Sequence, residues 1–464
     1  MKKASAMEIL PAGFRLGLRL VLLVGCFAGH QALAAADAGW KAGTGRVKIT
    51  PDKPLWMTGY GSRNHPAEGT AQDLWTKALA VSDPAGNRGV IITADLCMVS
   101  REITEEVAAE LQKKHGLPRS GVMINVSHTH CGPWLVGVAL GFRNPPEIRP
   151  AAEEYTRQLV GKMVRAASQA LESLAPATIS WGEDEATFAV NRRENPEPKV
   201  SALRAAGQLK GPVDHRVPVL AVRGIDGELR GLLISYACHN TVLDFYQWHG
   251  DYAGSAQVEI EKRHPQATVL FTIGCGADQN PLPRRSTALA DQYGRELADA
   301  ADRALAKPMQ RVTGIFSSAL EDITLTFAHK PTEEELQKAS AANRTAWASA
   351  VREQIRAKGD GILNYAYPVQ AWTLGNLSWL ALGGEVVVDY SLRLKKEIPG
   401  GLWVFGYSND VMDYIPSERV LKEGGYEGDT AKFPYGRPSP WSPGLENKIV
   451  SKAGELVART RAGR

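Results

Sequence analysis

The chain is poor in several things, and each scarcity narrows what it can do. There are five cysteines in 464 residues, with no Cys-x-x-Cys pair and no regular spacing. Chains of this length seldom rest on a disulfide framework, so Cys97, Cys131, Cys238 and Cys275 read as small buried residues at strand ends, with room for one bridge in an oxidising compartment. No apolar run approaches the ~20 residues of a membrane-spanning helix. There are no repeats, and the only biased segment is an alanine-rich stretch near the N-terminus. The formal net charge is only +4, which argues against nucleic acid as the main partner, because such proteins need a dense basic face. A His-Glu-x-x-His helix is missing, as is the Asp-His pair that would follow His-x-His in a dinuclear metallohydrolase.

Among the features present, the N-terminus is distinctive. Lys2, Lys3, Arg15 and Arg19 surround or precede a short apolar run, 20–28, and small residues follow at Ala32-Leu-Ala-Ala-Ala36. This is the pattern of a secretory signal over residues 1–36. Its removal takes away those four cations and Glu8, so the formal +4 falls to +1. Leu23-Val-Gly-Cys26 also fits a bacterial lipoprotein signal that would leave a lipid on Cys26. The expected location is therefore periplasmic or secreted, either free or lipid-anchored. Residues 40–464 contain no linker that would divide them, and they are expected to form one domain.

Short, β-branched, nearly continuous apolar runs at 89–94, 122–126, 232–237, 269–273 and 377–382 predict strands buried on both faces. Helical patterns lie between them, at 101–115 behind the N-cap Ser100, and at 153–173, 252–263, 288–306 and 332–357. The alternation predicts an α/β protein with mixed, largely buried sheets flanked by helices. The 332–357 segment carries charge on most faces and reads as an exposed excursion; 433–443, rich in Pro and Gly, reads as a loop. A last helix is expected near 446–459.

The richest stretch chemically is Ile124-Asn-Val-Ser-His-Thr-His-Cys-Gly-Pro-Trp134. A strand ends at Val126, and His128 and His130 follow where α/β enzymes carry their sites. Imidazole is the commonest side-chain ligand for zinc. A second strand end, Ser235-Tyr-Ala-Cys-His239, delivers a third histidine. Either motif alone fits a satisfied core residue; three histidines at two strand ends fit a converging metal site. Glu385 follows Gly383 and Gly384, which let the backbone approach closely and aim a carboxylate. The same residue fits the first turn of a helix. In Cys275-Gly-Ala-Asp-Gln-Asn-Pro281, the residues Asp278, Gln279 and Asn280 fit substrate-binding groups, ligand-orienting groups or plain turn residues.

The ordered series of these motifs, together with Gly43-Thr-Gly-Arg-Val-Lys-Ile-Thr-Pro51, Met57-Thr-Gly-Tyr-Gly61, Thr93-Ala-Asp-Leu-Cys-Met98 and Phe188-Ala-Val-Asn-Arg192, resembles the neutral, non-lysosomal ceramidase family over nearly all of 43–430. The resemblance implies one zinc ion held by two His, a Glu and a Tyr, which match His128, His239, Glu385 and Tyr414. It implies His130 as general base, and Arg192 and Tyr426 as the groups that polarise the amide carbonyl. The implied reaction is cleavage of N-acylsphingosine to sphingosine and fatty acid by water activated on the metal. Arg192 also fits a structural ion pair and Tyr426 a packed loop residue. Asp95, Trp134, Asp278, Gln279 and Asn280 are expected in substrate binding or behind the ligands. Trp134, Leu135 and Val136 fit either an apolar substrate groove or plain core. A lipid substrate or a lipid anchor would bring the protein to a membrane surface.

The sequence also departs from the family. Where the family usually has Thr-His-Thr-His-Ser-Gly-Pro-Gly, this chain has Ser-His-Thr-His-Cys-Gly-Pro-Trp134. The family's Gly-Asp-Val-Ser-Pro-Asn loop is replaced by Gly-Ala-Asp-Gln-Asn-Pro, which removes its serine as a nucleophile and leaves the metal–water route. The resemblance is to the catalytic domain, without the C-terminal immunoglobulin-like domain of full-length members. Two other functions stay open: a zinc hydrolase of a different amide or ester, and a non-catalytic exported binding protein with a structural metal. Asp95, Asp251 and Asp278 near strand ends leave space for a second metal.

Overall fold

The computed structural model describes residue 1, residues 39–138 and residues 146–463. The expected signal segment, including Cys26, lies outside the described residues, apart from Met1.

Twelve longer strands carry the architecture. Eight belong to one mixed sheet: β1 (Lys41–Lys48), β2 (Trp75–Ser82), β3 (Arg88–Ala94), β4 (Val122–Val126), β5 (Ala175–Glu185), β6 (Arg216–Gly224), β7 (Leu229–Tyr236) and β8 (Thr268–Ile273). Their spatial order is β8-β7-β6-β5-β1-β2-β3-β4. The β1–β5 connection consists of only two residue pairs, Lys41↔Pro176 and Ala42↔Ala175. The sheet is therefore two halves joined at a narrow seam. A second sheet is formed by β9 (Phe316–Thr326), β10 (Asn364–Leu374), β11 (Leu377–Leu382) and β12 (Gly401–Phe405), in that order.

The period of two sorts the side chains between layers. Ala78, Ala80, Val90, Ile92, Ile124, Ile234 and Phe271 face one way, into a core shared with α1 (Arg101–His115), α2 (Arg149–Glu172), α3 (Asp251–Arg263) and α4 (Thr287–Ala306). The alternate residues Leu79, Ile91, Met123, Leu233 and Leu270 face the second sheet. There Trp372, Trp379 and Trp403 lie directly opposite one another on β10, β11 and β12. Their rings stack at 5.8 Å with interplanar angles of 18° and 12°. A C-terminal helix, α8 (Leu445–Ala462), covers the other face of this sheet with Val450, Ala453, Leu456 and Val457.

The five expected strands and the helices at 101–115, 252–263, 288–306 and 446–459 are present within a few residues. The helix begun at 153 starts four residues earlier, with Pro150 in its first turn. Two expectations are corrected. The 332–357 segment is two helices, α5 (Glu333–Ala341) and α6 (Thr345–Lys358), divided at Asn343 with φ of 62°. They are not a bare excursion: Leu336, Trp347, Ala348, Val351 and Ile362 form a small core of their own. The 433–443 stretch is not all loop, because a short helix, Lys432–Tyr435, enters it. The strands β5 and β9 escape a search for continuous apolar runs because they alternate buried with half-exposed or exposed residues.

Three parallel pairs, β3/β4, β7/β8 and β11/β12, bring their carboxyl ends to one region. Asn125 of β4 ties them together. Its Oδ1 accepts from the N–H of Ile273 at 2.9 Å, and its Nδ2 donates to the carbonyl of Gly406 at 2.8 Å.

Candidate metal centre

Each carboxyl end delivers one part of a site. His128 follows β4 in the left-handed region, with φ of 61°, and its N–H donates to the carbonyl of Leu96 at 2.8 Å. Such a conformation is uncommon outside glycine, and it is held by the surrounding structure. His239 follows β7, with its N–H on the carbonyl of Gln279 at 2.9 Å. Glu385 follows β11 and Gly384, whose φ is 76° and where a Cβ would meet Ile415 at 2.6 Å. Glu385 then pairs with Tyr414 in a two-residue parallel ladder, Glu385↔Tyr414 and Val386↔Ile415. The helix α7 (Val388–Glu397) starts just beyond it.

The donor geometry could hold a metal ion. The Nδ1 of His128 sits 2.8 Å from the carbonyl of Cys97, and the Nδ1 of His239 sits 2.8 Å from that of Gly276. Each Nδ1–H donates to its carbonyl, which fixes the tautomer and leaves Nε2 as a lone pair, the usual arrangement of ligating histidines. Both Nε2 atoms face one Glu385 oxygen, at 3.4 and 3.2 Å. The three ligand atoms all lie within 4.8 Å of one another, and all three residues are buried. The Tyr414 hydroxyl is 3.3 Å from His239 Nε2. Two imidazoles, a carboxylate and a phenol oxygen form a donor set that suits zinc.

The electrostatics agree with the geometry. Burial alone would raise the Glu385 carboxyl, but His128, His239 and the Tyr435 hydroxyl hold it below the usual carboxylate range. Burial pushes His239 down to about 4, with Arg192 adding to the shift. Burial also lowers His128, and lowers His130 well below the usual imidazole range, helped by His128 and His239. All three imidazoles are thus neutral at pH 7 and able to offer lone pairs.

Every other group expected at the centre is close by. His130 Nε2 lies 3.1 Å from His128 Nε2. Arg192 donates from Nη2 to the Tyr414 hydroxyl at 3.1 Å, its Nη1 faces His239 Nε2 at 3.4 Å, and its Nε bonds Glu427 at 2.7 Å. It is therefore both an ion-pair partner and a site residue. Tyr426 opens a π-helical turn, Tyr426–Thr430, and is 45 % exposed, which leaves its ring available at the mouth. A cleft of about 490 Å³ opens on the centre, lined by His130, Arg192, Tyr426 and Asn280, with Tyr60, Met98, Thr241, Arg284 and Pro434 further out.

The remaining candidates lie behind this surface or away from it. Asp278 accepts from the N–H of Val388 at 2.8 Å and from Asn191 Nδ2 at 3.1 Å, so it anchors the segment that carries Glu385. Gln279 is buried and accepts from the N–H of Asp214 at 3.0 Å. Asn280 reaches the cleft and accepts from Arg192 Nη1 at 3.4 Å. Asp95 is buried against the N–H of Trp75 at 2.8 Å, and Trp134 is half-buried against the core; neither lines the cleft. Asp251 is turned onto the N–H groups of Val242 and Leu243. Among the described residues Cys97, Cys131, Cys238 and Cys275 form no disulfide, and all four are buried.

Two tyrosines at the centre were not foreseen. Tyr435 donates to the second oxygen of Glu385, and Tyr407 donates to the first at 3.3 Å. Tyr435 falls in the stretch that reads as loop, and nothing in its sequence neighbourhood marks it.

Comparison with known proteins places this geometry. The family description "Neutral/alkaline non-lysosomal ceramidase, N-terminal" matches residues 40–345. Neutral ceramidase 1 of Arabidopsis thaliana is 26% identical over 292 residues, 60% of this chain and 36% of the relative. Neutral ceramidase A of Dictyostelium discoideum is 32% identical over 117 residues, 23% of this chain and 16% of the relative. The chain thus matches about a third or less of these relatives' length. The crystal structure of neutral ceramidase from Pseudomonas aeruginosa superposes with a TM-score of 0.73 at 19% identity, covering 92% of this chain and 75% of that one. A ceramidase complexed with C2 gives a TM-score of 0.71 at 18% identity, over 92% of this chain and 76% of that one. These two likenesses speak for the fold. The family match spans well over half of the chain, and with it the chain belongs to the neutral/alkaline non-lysosomal ceramidase family.

Proposed function

We propose that the protein is an exported zinc-dependent hydrolase of a linear amide of the ceramide kind, releasing a fatty acid and a sphingoid amine. The observation that carries this reading is the convergence of two tautomer-fixed imidazoles on one buried carboxylate oxygen, at 3.2 and 3.4 Å. In this reading His128, His239, Glu385 and Tyr414 hold the ion. Zinc bound there supplies Lewis acidity that brings water ionisation toward neutral pH. The chain's own groups do the rest. His130 takes a proton from the attacking water and hands it to the nitrogen as the C–N bond breaks. Arg192 and Tyr426 stabilise the negative charge that develops on the carbonyl oxygen; removing one such donor costs about 3–4 kcal/mol in comparable sites. Tyr407 and Tyr435 hold the Glu385 carboxylate in place.

The test is ceramide hydrolysis by purified protein, with and without zinc, beside His130→Ala. The expected result is zinc-dependent turnover that the variant loses by about 10²–10⁴-fold while keeping its metal. Full zinc occupancy without ceramide turnover would remove ceramide as the substrate and send the search to other amides and esters. Unfolding on chelation, with no turnover of any amide, would mean a structural metal. For export, intact mass or N-terminal sequencing of the processed protein is the check: a start near residue 37 fits the free form, a lipidated Cys26 the anchored one.

A further inference from the structure

His130 lacks the support its neighbours have. Among the described residues its buried Nδ1 has no hydrogen-bond partner, whereas the Nδ1 atoms of His128 and His239 each sit on a backbone carbonyl. Its ring is set by packing instead. Gly59, with φ of 100°, lies against it so closely that a Cβ would fall 2.3 Å from His130 Cγ. Tyr60 meets the ring edge-on at 4.6 Å. The His130 backbone is gripped from the same loop: Arg63 Nη2 donates to its carbonyl at 2.9 Å.

Arg63 is an unusual residue for that place. It is buried, and its Nη1 donates to the carbonyl of Phe245 at 3.0 Å. Its guanidinium lies over the faces of Tyr60 and Tyr246 at 5.4 and 4.9 Å. Among the described residues its partners are carbonyls, the Met57 sulfur, the Cys131 thiol and these rings, with no carboxylate in the set. A buried cation without a counter-charge is costly to keep. A neutral donor could tie one carbonyl; only the planar guanidinium reaches two chain segments and stacks on two rings at once.

We infer that Arg63 and Gly59 are positioning residues for His130, and that the 57–63 loop sets the place of the proton-transfer imidazole relative to the metal ligands. The inference rests on the role proposed above for His130. Three variants test it: Arg63→Met, Arg63→Lys and Gly59→Ala. Each is measured for zinc content, thermal midpoint, and kcat and KM on the best amide substrate, and each is crystallised. In Arg63→Met the His130 ring is expected to leave its place 3.1 Å from His128 Nε2 while the ligand residues stay put. Its kcat should fall by about tenfold or more with KM and zinc content unchanged, because misplacement by about 1 Å costs that much or more. Arg63→Lys should recover only a minor part of the rate, because an ammonium lacks the planar fork that spans both carbonyls and both rings, and Gly59→Ala should give the same kcat-only loss. An unmoved His130 in both Arg63→Met and Gly59→Ala overturns the inference. So does a parallel fall of kcat, zinc content and thermal midpoint, which a merely structural tie would give. If the wild type hydrolyses no amide, the proposed function fails by itself, and the position of the His130 ring in the variants still decides this point.

Discussion

The molecule has two deeply buried regions of opposite character. Between the sheets, Trp372, Trp379 and Trp403 stack among leucines, and among the described residues the indole N–H groups of Trp379 and Trp403 have no hydrogen-bond partner. At the carboxyl ends of the strands, His128, His239, Glu385 and the tyrosines Tyr407, Tyr414 and Tyr435 are just as buried, but almost every polar atom is engaged. The first region spends no specificity on its polar atoms and gains from apolar area and ring stacking. The second holds polar groups out of water at a cost that hydrogen bonds offset and that a bound cation would offset further. Stability and chemistry are therefore expected to respond to different substitutions.

The sharpest way to separate them is His239→Ala. It should abolish zinc retention and lower amide turnover by more than about 10³-fold, while far-UV circular dichroism keeps its wild-type form. A variant that keeps stoichiometric zinc would break the contrast by showing that the ion sits elsewhere. The converse substitution is Trp379→Ala, which removes the middle ring of the stack. It should cost about 3–5 kcal/mol in urea unfolding, with kcat of the folded fraction and zinc content unchanged. A catalytic defect without a stability loss would show that the two regions are coupled. The smallest expected effect concerns charge beneath the site. Burial alone would raise Asp214, but Lys395, Ser391 and Arg216 bring it down to about 2, from an ordinary 3.8. A depressed carboxyl contributes stability above its unfolded value and loses it as pH falls through the folded one. Asp214→Asn should therefore lower stability by about 2 kcal/mol at pH 7, and the difference from wild type should fade between about pH 4 and pH 2. A gap that persists at pH 2 would point to lost packing instead of lost charge.

How much of this was legible beforehand depended on which physical signal each part leaves. Strands buried on both faces, such as 122–126 and 377–382, announce themselves as apolar runs, and a histidine just after such a run is easy to see. That is why His128, His239 and Glu385 stood out. Strands such as β5 and β9 have few buried residues, spaced between half-exposed and exposed ones, and hide among polar segments. Tyr435 and Arg63 were invisible for a different reason: their significance is a contact made at the far end of a long side chain, with Glu385 and with the His130 carbonyl. Spacing along the chain carries no trace of it. Asp278 shows the limit from the other side. It was conspicuous as a strand-end carboxylate, yet it faces the backbone of Val388 and not the cleft.

The narrow connection in the larger sheet bears on the proposed metal site. His128 rises from the β4 half and His239 from the β7 half, and between β1 and β5 those halves share only two residue pairs. An ion held by both imidazoles, as proposed, would add a further tie between halves already joined by Asn125, by Lys77 on Glu261 and the Val269 carbonyl, and by Gln257 on Asp95. Under the proposed function, an ion that binds only when both halves are in place would also stabilise their association, so metal affinity and the cohesion of the two halves would be linked.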